Sequence, residues 1–210
     1  MEIWTWRANR SLGRDSAGGA FSLLEVLIVL ALIIVMSAML YGYGSRNYQQ
    51  KQKQACQANL LKLSVALDIF ANDHDGAFPA LPKAQTAEEP LALLLPRYTV
   101  DTSAFICPGS KDSPIRSGEP LARHKISYAY FMGRQSSNAQ EVLLTDKQVD
   151  TQPKMAGQAL FSATGKPPGN NHEKFGGNCL FVDGHVEMTG MNASFPLAVP
   201  QGVVLLNPKP

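Results

Sequence analysis

The side chains with the most capacity for chemistry lie in the C-terminal third. His172, Asp183 and His185, joined by Asp146, are types that a compact domain could gather around a metal. Imidazole and carboxylate donors suit a divalent cation, which could polarise a substrate or activate a water. On an extended strand His185 and Glu187 share one face, because side chains alternate. The surrounding pattern argues against catalysis. Asp183 precedes Gly184 between two β-prone runs, so a turn already accounts for it. No HExxH, no GxSxG and no glycine-rich phosphate loop occurs in the chain. The residues therefore read as a non-enzyme without a catalytic metal, His172, Asp183 and His185 being the positions a metal would use. His74, between Asp73 and Asp75, reads as a solvated helix C-terminus.

The three cysteines are Cys56, Cys107 and Cys179. No CxxC pair exists, so a zinc ribbon is not expected. Cys107 and Cys179 both sit beside predicted strands. A bridge between them would close a loop of about 70 residues and contribute roughly 4 kcal/mol in the chain-entropy view. The sequence leaves open whether they meet. Cys56, on a predicted helix, reads as a small buried hydrophobe.

One further residue stands out by its setting. Glu25 interrupts the apolar run FSLLEVLIVLALIIVMSAML, which begins at Phe21. A run of about 20 apolar residues can cross a bilayer core as a helix, whereas the apolar region of a secretory signal is only about 7–15 residues. A carboxylate within such a span costs about 2.5–3.5 kcal/mol, so it calls for a partner or for proximity to the headgroups. Arg7, Arg10 and Arg14 precede the run, while Arg46, Lys51 and Lys53 follow it, so the positive-inside rule does not orient it. The formal net charge of +2 is scattered without a basic stripe, which gives no case for nucleic acid.

The elements that position these residues follow from periodicity. No proline or glycine occurs from Arg46 to Asn72, and Leu60, Leu63, Leu67 and Phe70 recur at helical spacing. The helix should continue past the membrane and stop at Asn72-Asp73-His74-Asp75-Gly76. From Phe21 this makes a rod of roughly 80 Å at about 1.5 Å per residue. Gly42 and Gly44 mark either the membrane exit or a place where the helix could unwind. A short helix is expected over Glu88–Leu95, where its leucines pack. A short strand is expected at Ile126–Met132 and a small one at Ala159–Ser162, and a further apolar segment, Glu141–Thr145, runs into Asp146. Asp183-Gly184 predicts a two-residue type I′ hairpin between Cys179–Val182 and His185–Met188.

The segment Ala20-Phe21-Ser22-Leu23-Leu24-Glu25-Val26-Leu27, behind a short basic leader, resembles the processing site of type IV prepilins and type II secretion pseudopilins. The resemblance implies that prepilin peptidase cuts between Ala20 and Phe21 on the cytoplasmic side and that Phe21 is then N-methylated. It also implies that Glu25 pairs with the terminal amine of a neighbouring subunit during assembly. The residue before the cut is usually glycine; here it is Ala20, with Gly19 one place earlier. The turn at 71–79 resembles the helix exit of major pseudopilins. The passage from Asn170 to Met188, with Cys107-Pro108 and Ser127-Tyr128-Ala129-Tyr130, resembles pilin-like proteins that carry a C-terminal histidine…Asp-Gly-His signature.

What this implies is an α+β pilin-like fold, a long N-terminal helix packed on a small antiparallel sheet. Residues 1–20 would be the leader, 21–43 the transmembrane helix, 44–75 its amphipathic continuation and 76–210 a periplasmic or extracellular domain. The chain would be a structural subunit of a secretion pseudopilus or a related surface pilus in the inner membrane. Its partners would be prepilin peptidase, other pilin-like subunits and an assembly platform. No cofactor is expected, although major secretion pseudopilins bind a structural calcium. The rival of a different class is a membrane-tethered periplasmic binding or metal-dependent domain.

Overall fold

The structure is a computed structural model that describes residues 22–164, 166 and 171–210. Ala20 and Phe21, at the expected cut, lie outside the described residues, as does Asn170. The chain divides into two compact units between Tyr43 and Gly44. Helix α1 (Leu23–Asp73) starts in the first and ends in the second, and carries Glu25 in its first turn. Its segment Leu23–Leu40 is long and apolar enough to cross a membrane, and none of it is buried within the chain.

The second unit is α+β. Its sheet has the order β4-β3-β2-β1-β5, and every pairing is antiparallel. The strands are β1 (Tyr128–Met132), β2 (Val142–Asp146), β3 (Gly177–Phe181), β4 (Val186–Thr189) and β5 (Val204–Leu206). The distal part of α1 buries Cys56, Leu60, Leu63, Leu67 and Phe70, alternating steps of four and three along one face. Burial of a leucine side chain contributes about 1.5–3 kcal/mol, so this stripe is a main tie between helix and sheet. It packs with Tyr128, Tyr130, Leu144 and Leu180. The opposite sheet face carries Ala129, Phe131, Cys179 and Phe181 under Leu160, Phe161, Ala193 and Leu197. The sheet is thus covered on both sides; alternation along β1, β3 and β5 decides which core a residue enters, whereas on β2 an irregularity between Val142 and Leu144 puts Leu143 and Leu144 in the same core.

The helix ends where expected. Asp75 (φ 52) and Gly76 (φ 84) turn left-handed, and the Gly76 N–H donates to Ala71 O at 2.8 Å. His74 stacks on Phe70 and bonds the Phe70 carbonyl, while Asp73 pairs with Arg97, so this trio does not converge on a common point. Other expectations need correction. The short helix is α2 (Glu88–Leu91), continuing as a 3-10 turn over Ala92–Leu94. Ala159–Ser162 makes only an isolated bridge, Ala159 to Asn192. The β3–β4 connection is not a type I′ turn. That turn needs positive φ at both Asp183 and Gly184, and only Gly184 has it (φ 87). The loop has three residues instead. Gly184 N–H donates to Phe181 O at 3.0 Å and Phe181 N–H to His185 O at 2.9 Å. Asp183 then spends its carboxylate on the His185 backbone N–H at 3.1 Å.

Candidate functional site

Four buried side chains from distant parts of the sequence meet between α1 and the sheet: Cys56, Cys107, Asp146 and His172. Their ligand-type atoms all lie within 4.8 Å of one another. Each is placed by a local rule. Cys56 lies on the buried stripe of α1, one turn before Leu60. Asp146 closes β2 and shares a face with Leu144, which points it toward the helix. Cys107 is held in a turn in which Ser110 N–H donates to Cys107 O (2.9 Å) and Gly109 N–H to Cys107 Sγ (3.3 Å). A Cβ on Gly109 would fall 2.5 Å from His172 Nδ1 and 2.7 Å from Asn171 O, so only glycine fits beside the imidazole. His172 precedes the 3-10 turn Glu173–Phe175.

The contacts form a closed network. Cys56 donates its S–H to Asp146 Oδ1 (3.1 Å) and lies 3.3 Å from the Tyr128 hydroxyl. Cys107 Sγ is 3.2 Å from His172 Nε2, and the same nitrogen is 3.4 Å from Asp146 Oδ2. Asn171 Nδ2 donates to Asp146 Oδ1 at 2.5 Å. Asn178 donates to Oδ2 twice, from its backbone N–H (2.7 Å) and its Nδ2 (3.1 Å). Above the centre Lys53 Nζ donates to Phe175 O (2.9 Å) and Thr189 O (2.6 Å), tying α1 to the His172 segment and to β4.

Electrostatics follow from burial and charge. Burial alone would push Asp146 up, but His172 opposite it and the bonds from Asn171 and Cys56 hold it below the ordinary carboxylate value. Burial alone would push His172 down, but Asp146 beside it raises it to about 10. Burial pushes the Cys56 thiol well up. The protein alone thus holds an Asp146–His172 ion pair flanked by two cysteines.

This arrangement is not a nucleophile relay. In such a relay the carboxylate orients one ring nitrogen while the other takes the nucleophile's proton. Here cysteine and carboxylate share Nε2, and Nδ1 has no partner among the described residues. All four residues are at most 1 % exposed, so no substrate reaches them as they stand. A surface cleft of about 430 Å³ bordered by Leu95, Pro96, Thr102 and Leu121 includes none of them.

The positions expected from sequence are only partly united here. His172 meets Asp146 but not Asp183 or His185, which pair with each other at 2.5 Å in the β3–β4 loop. Cys107 and Cys179 are free thiols, and the bridge between them is not formed. The reason is the strand period: Asn178 and Leu180 face the helix, so Cys179 enters the other core. Cys56 is buried as expected, but in a polar network. Glu25 is exposed on the first turn of α1. No local spacing joins Cys56 to Cys107; the only signal was a cysteine falling on a helical stripe aimed at the sheet. No protein-family profile matches this chain, and no curated protein or solved structure matches it either.

Proposed function

We propose that the chain is a membrane-anchored structural subunit of a pilin-type filament, of the secretion-pseudopilus or type IV pilus class. It would be matured by prepilin peptidase and assembled with other pilin-like subunits on an inner-membrane platform. The observation that carries this reading is α1 itself. Eighteen consecutive residues, Leu23–Leu40, stay unburied by their own chain, and Glu25 is the one charged residue among them. Such a surface needs lipid or other copies of the helix around it. A plain tether gains nothing from a carboxylate in its first turn, whereas a filament can pair it with the amine of an adjacent subunit. The distal half of the same helix docks on a sheet, which gives each subunit a rigid head. The pilin-like character of the fold belongs to this proposal.

A second reading, a tethered metal-dependent domain, is favoured by the Cys56–Cys107–Asp146–His172 cluster. The closure of that cluster suits a structural centre, which a filament subunit can equally carry.

Glu25→Ala tests the first reading. Removing a charge from the apolar span should leave membrane insertion intact or improve it. Filament yield should fall on the order of tenfold or more, since a lost pairing of about 1.4 kcal/mol per subunit contact already gives that factor. Membrane fractionation and sheared-filament yield measure the two separately. Wild-type yield from the variant would remove the role assigned to Glu25.

A further inference from the structure

We propose that Cys56, Cys107, Asp146 and His172 form a closed structural binding site for a divalent transition metal, with zinc as the best fit. The proposal does not depend on the filament reading, since all four residues belong to the second unit.

The donor set is the first argument. Two sulfurs, one imidazole nitrogen and one carboxylate oxygen match the borderline-soft preference of zinc and the four-coordinate habit of its structural sites. Hard cations such as calcium take six to eight oxygens, and this centre offers nothing of the kind. Geometry is the second. Zinc–ligand bonds of about 2.0–2.3 Å imply tetrahedral edges of about 3.3–3.8 Å between ligand atoms. The contacts here are 3.1 Å (Cys56 Sγ to Asp146 Oδ1), 3.2 Å (Cys107 Sγ to His172 Nε2) and 3.4 Å (His172 Nε2 to Asp146 Oδ2), and one ligand atom from each residue lies within 4.8 Å of the other three. Drawing the four residues onto one carboxylate oxygen and closing the longest separation, at most 4.8 Å, turns this hydrogen-bonded cluster into a coordination shell.

The outer ring is the third argument. Ligands in metal sites are held by hydrogen bonds that fix orientation and tune charge. Gly109 N–H donates to Cys107 Sγ, Tyr128 OH lies against Cys56 Sγ, and Asn171 and Asn178 hold both oxygens of Asp146. Two thiolates, one carboxylate and a dication sum to one negative charge. Lys53 Nζ, held over the same centre by the Phe175 and Thr189 carbonyls, is a nearby cation available to balance it. On binding, Cys56, Cys107 and the His172 imidazolium each release one proton to solvent, so that two thiolates and a neutral imidazole coordinate, and no oxidation occurs. The metal would tie α1, the Cys107 turn, the end of β2 and the segment before β3 into one body, replacing the disulfide this domain lacks.

The test uses the full chain, purified in detergent with reductant and loaded with zinc chloride or cobalt chloride. We expect one zinc per chain by elemental analysis after desalting. The cobalt form should show thiolate-to-cobalt charge-transfer absorption and intense tetrahedral visible bands. Cys107→Ser should weaken zinc binding beyond the 10–100-fold that a lost outer-ring partner typically costs. It should also reduce the charge-transfer band. Cys179→Ser, which removes a buried thiol from the opposite core, should change neither. The wild-type cobalt spectrum is decisive even if a variant fails to fold. Sub-stoichiometric zinc with no thiolate band in wild type overturns the proposal. So does a Cys56–Cys107 disulfide found by thiol counting in the protein isolated without reductant, or undiminished metal binding by Cys107→Ser.

Discussion

Replacing Asp146 with alanine should destabilise the folded chain by about 3–5 kcal/mol, the range for removing one partner of a buried ion pair. The carboxylate accepts from Asn171 Nδ2, from Cys56 and twice from Asn178, and it faces His172. Alanine would leave those donors and a buried imidazole without the carboxylate that accepts from them. Asparagine should rescue little. Both carboxylate oxygens accept hydrogen bonds, so an amide would set its NH₂ against a donor whichever way it turned. Folded domains hold only about 5–15 kcal/mol in total, so either variant should lose a large share of its folded fraction. Urea unfolding in detergent, followed by near-UV dichroism of Tyr128 and Tyr130, measures the shift. A loss under about 1 kcal/mol would mean that the network contributes far less than its geometry implies.

Gly176→Ala should cost about 3 kcal/mol or more for a different reason. Gly176 sits at φ 78, ψ −143, a backbone region essentially reserved for glycine, at a cost of about 1–3 kcal/mol for other residues. An added Cβ would also lie 2.2 Å from Thr189 O and 2.5 Å from Gly190 C, backbone atoms of the β4 end. Displacing them adds about 1–3 kcal/mol of overpacking. Because β4 pairs with β3 through Gly177 and Thr189, the strain falls on the ladder that places Asn178 against Asp146. Gly118→Ala is the matched control. It has φ 86 but nothing within 4 Å, so it should cost only the left-handed penalty of about 1–2 kcal/mol. Equal losses from the two glycine variants would rule out the close-approach argument.

The large elements were legible because their signals are local. The stripe of Leu60, Leu63, Leu67 and Phe70 marks the buried face of α1, and Asp75-Gly76 marks its end. β1, β3 and β4 form within a residue or two of the expected strands, and β2 forms in the apolar segment Glu141–Thr145. β5, only Val204–Leu206, was hidden by its length and by the prolines on either side. The hairpin was visible, but its type was not: a three-residue loop lets Gly184 alone carry positive φ and leaves Asp183 unstrained. The role of the glycine pair at the start of β3 is clear only in three dimensions. Gly176 needs its backbone angle, and a Cβ on Gly177 would strike the Phe161 ring at 2.6 Å.

The candidate site was far less legible. His172 and Asp146 were on the page, but nearness in sequence favoured Asp183 and His185 as companions, and those two face each other in an exposed loop. Cys56 looked like one more apolar residue on a helix. Its partners come from a turn, a strand end and a loop, and only the packing of α1 against the sheet brings them to it. Cysteine pairing misled for the same reason: one residue of register on β3 decides which core Cys179 enters.

The central claim is that this chain is processed and assembled as a filament subunit. Its most direct test is the intact mass and N-terminal sequence of the protein purified from its native membrane. The account predicts a chain that begins at N-methylated Phe21, with residues 1–20 removed. A chain that keeps Met1–Ala20 would contradict it and move the tethered-domain reading to the front.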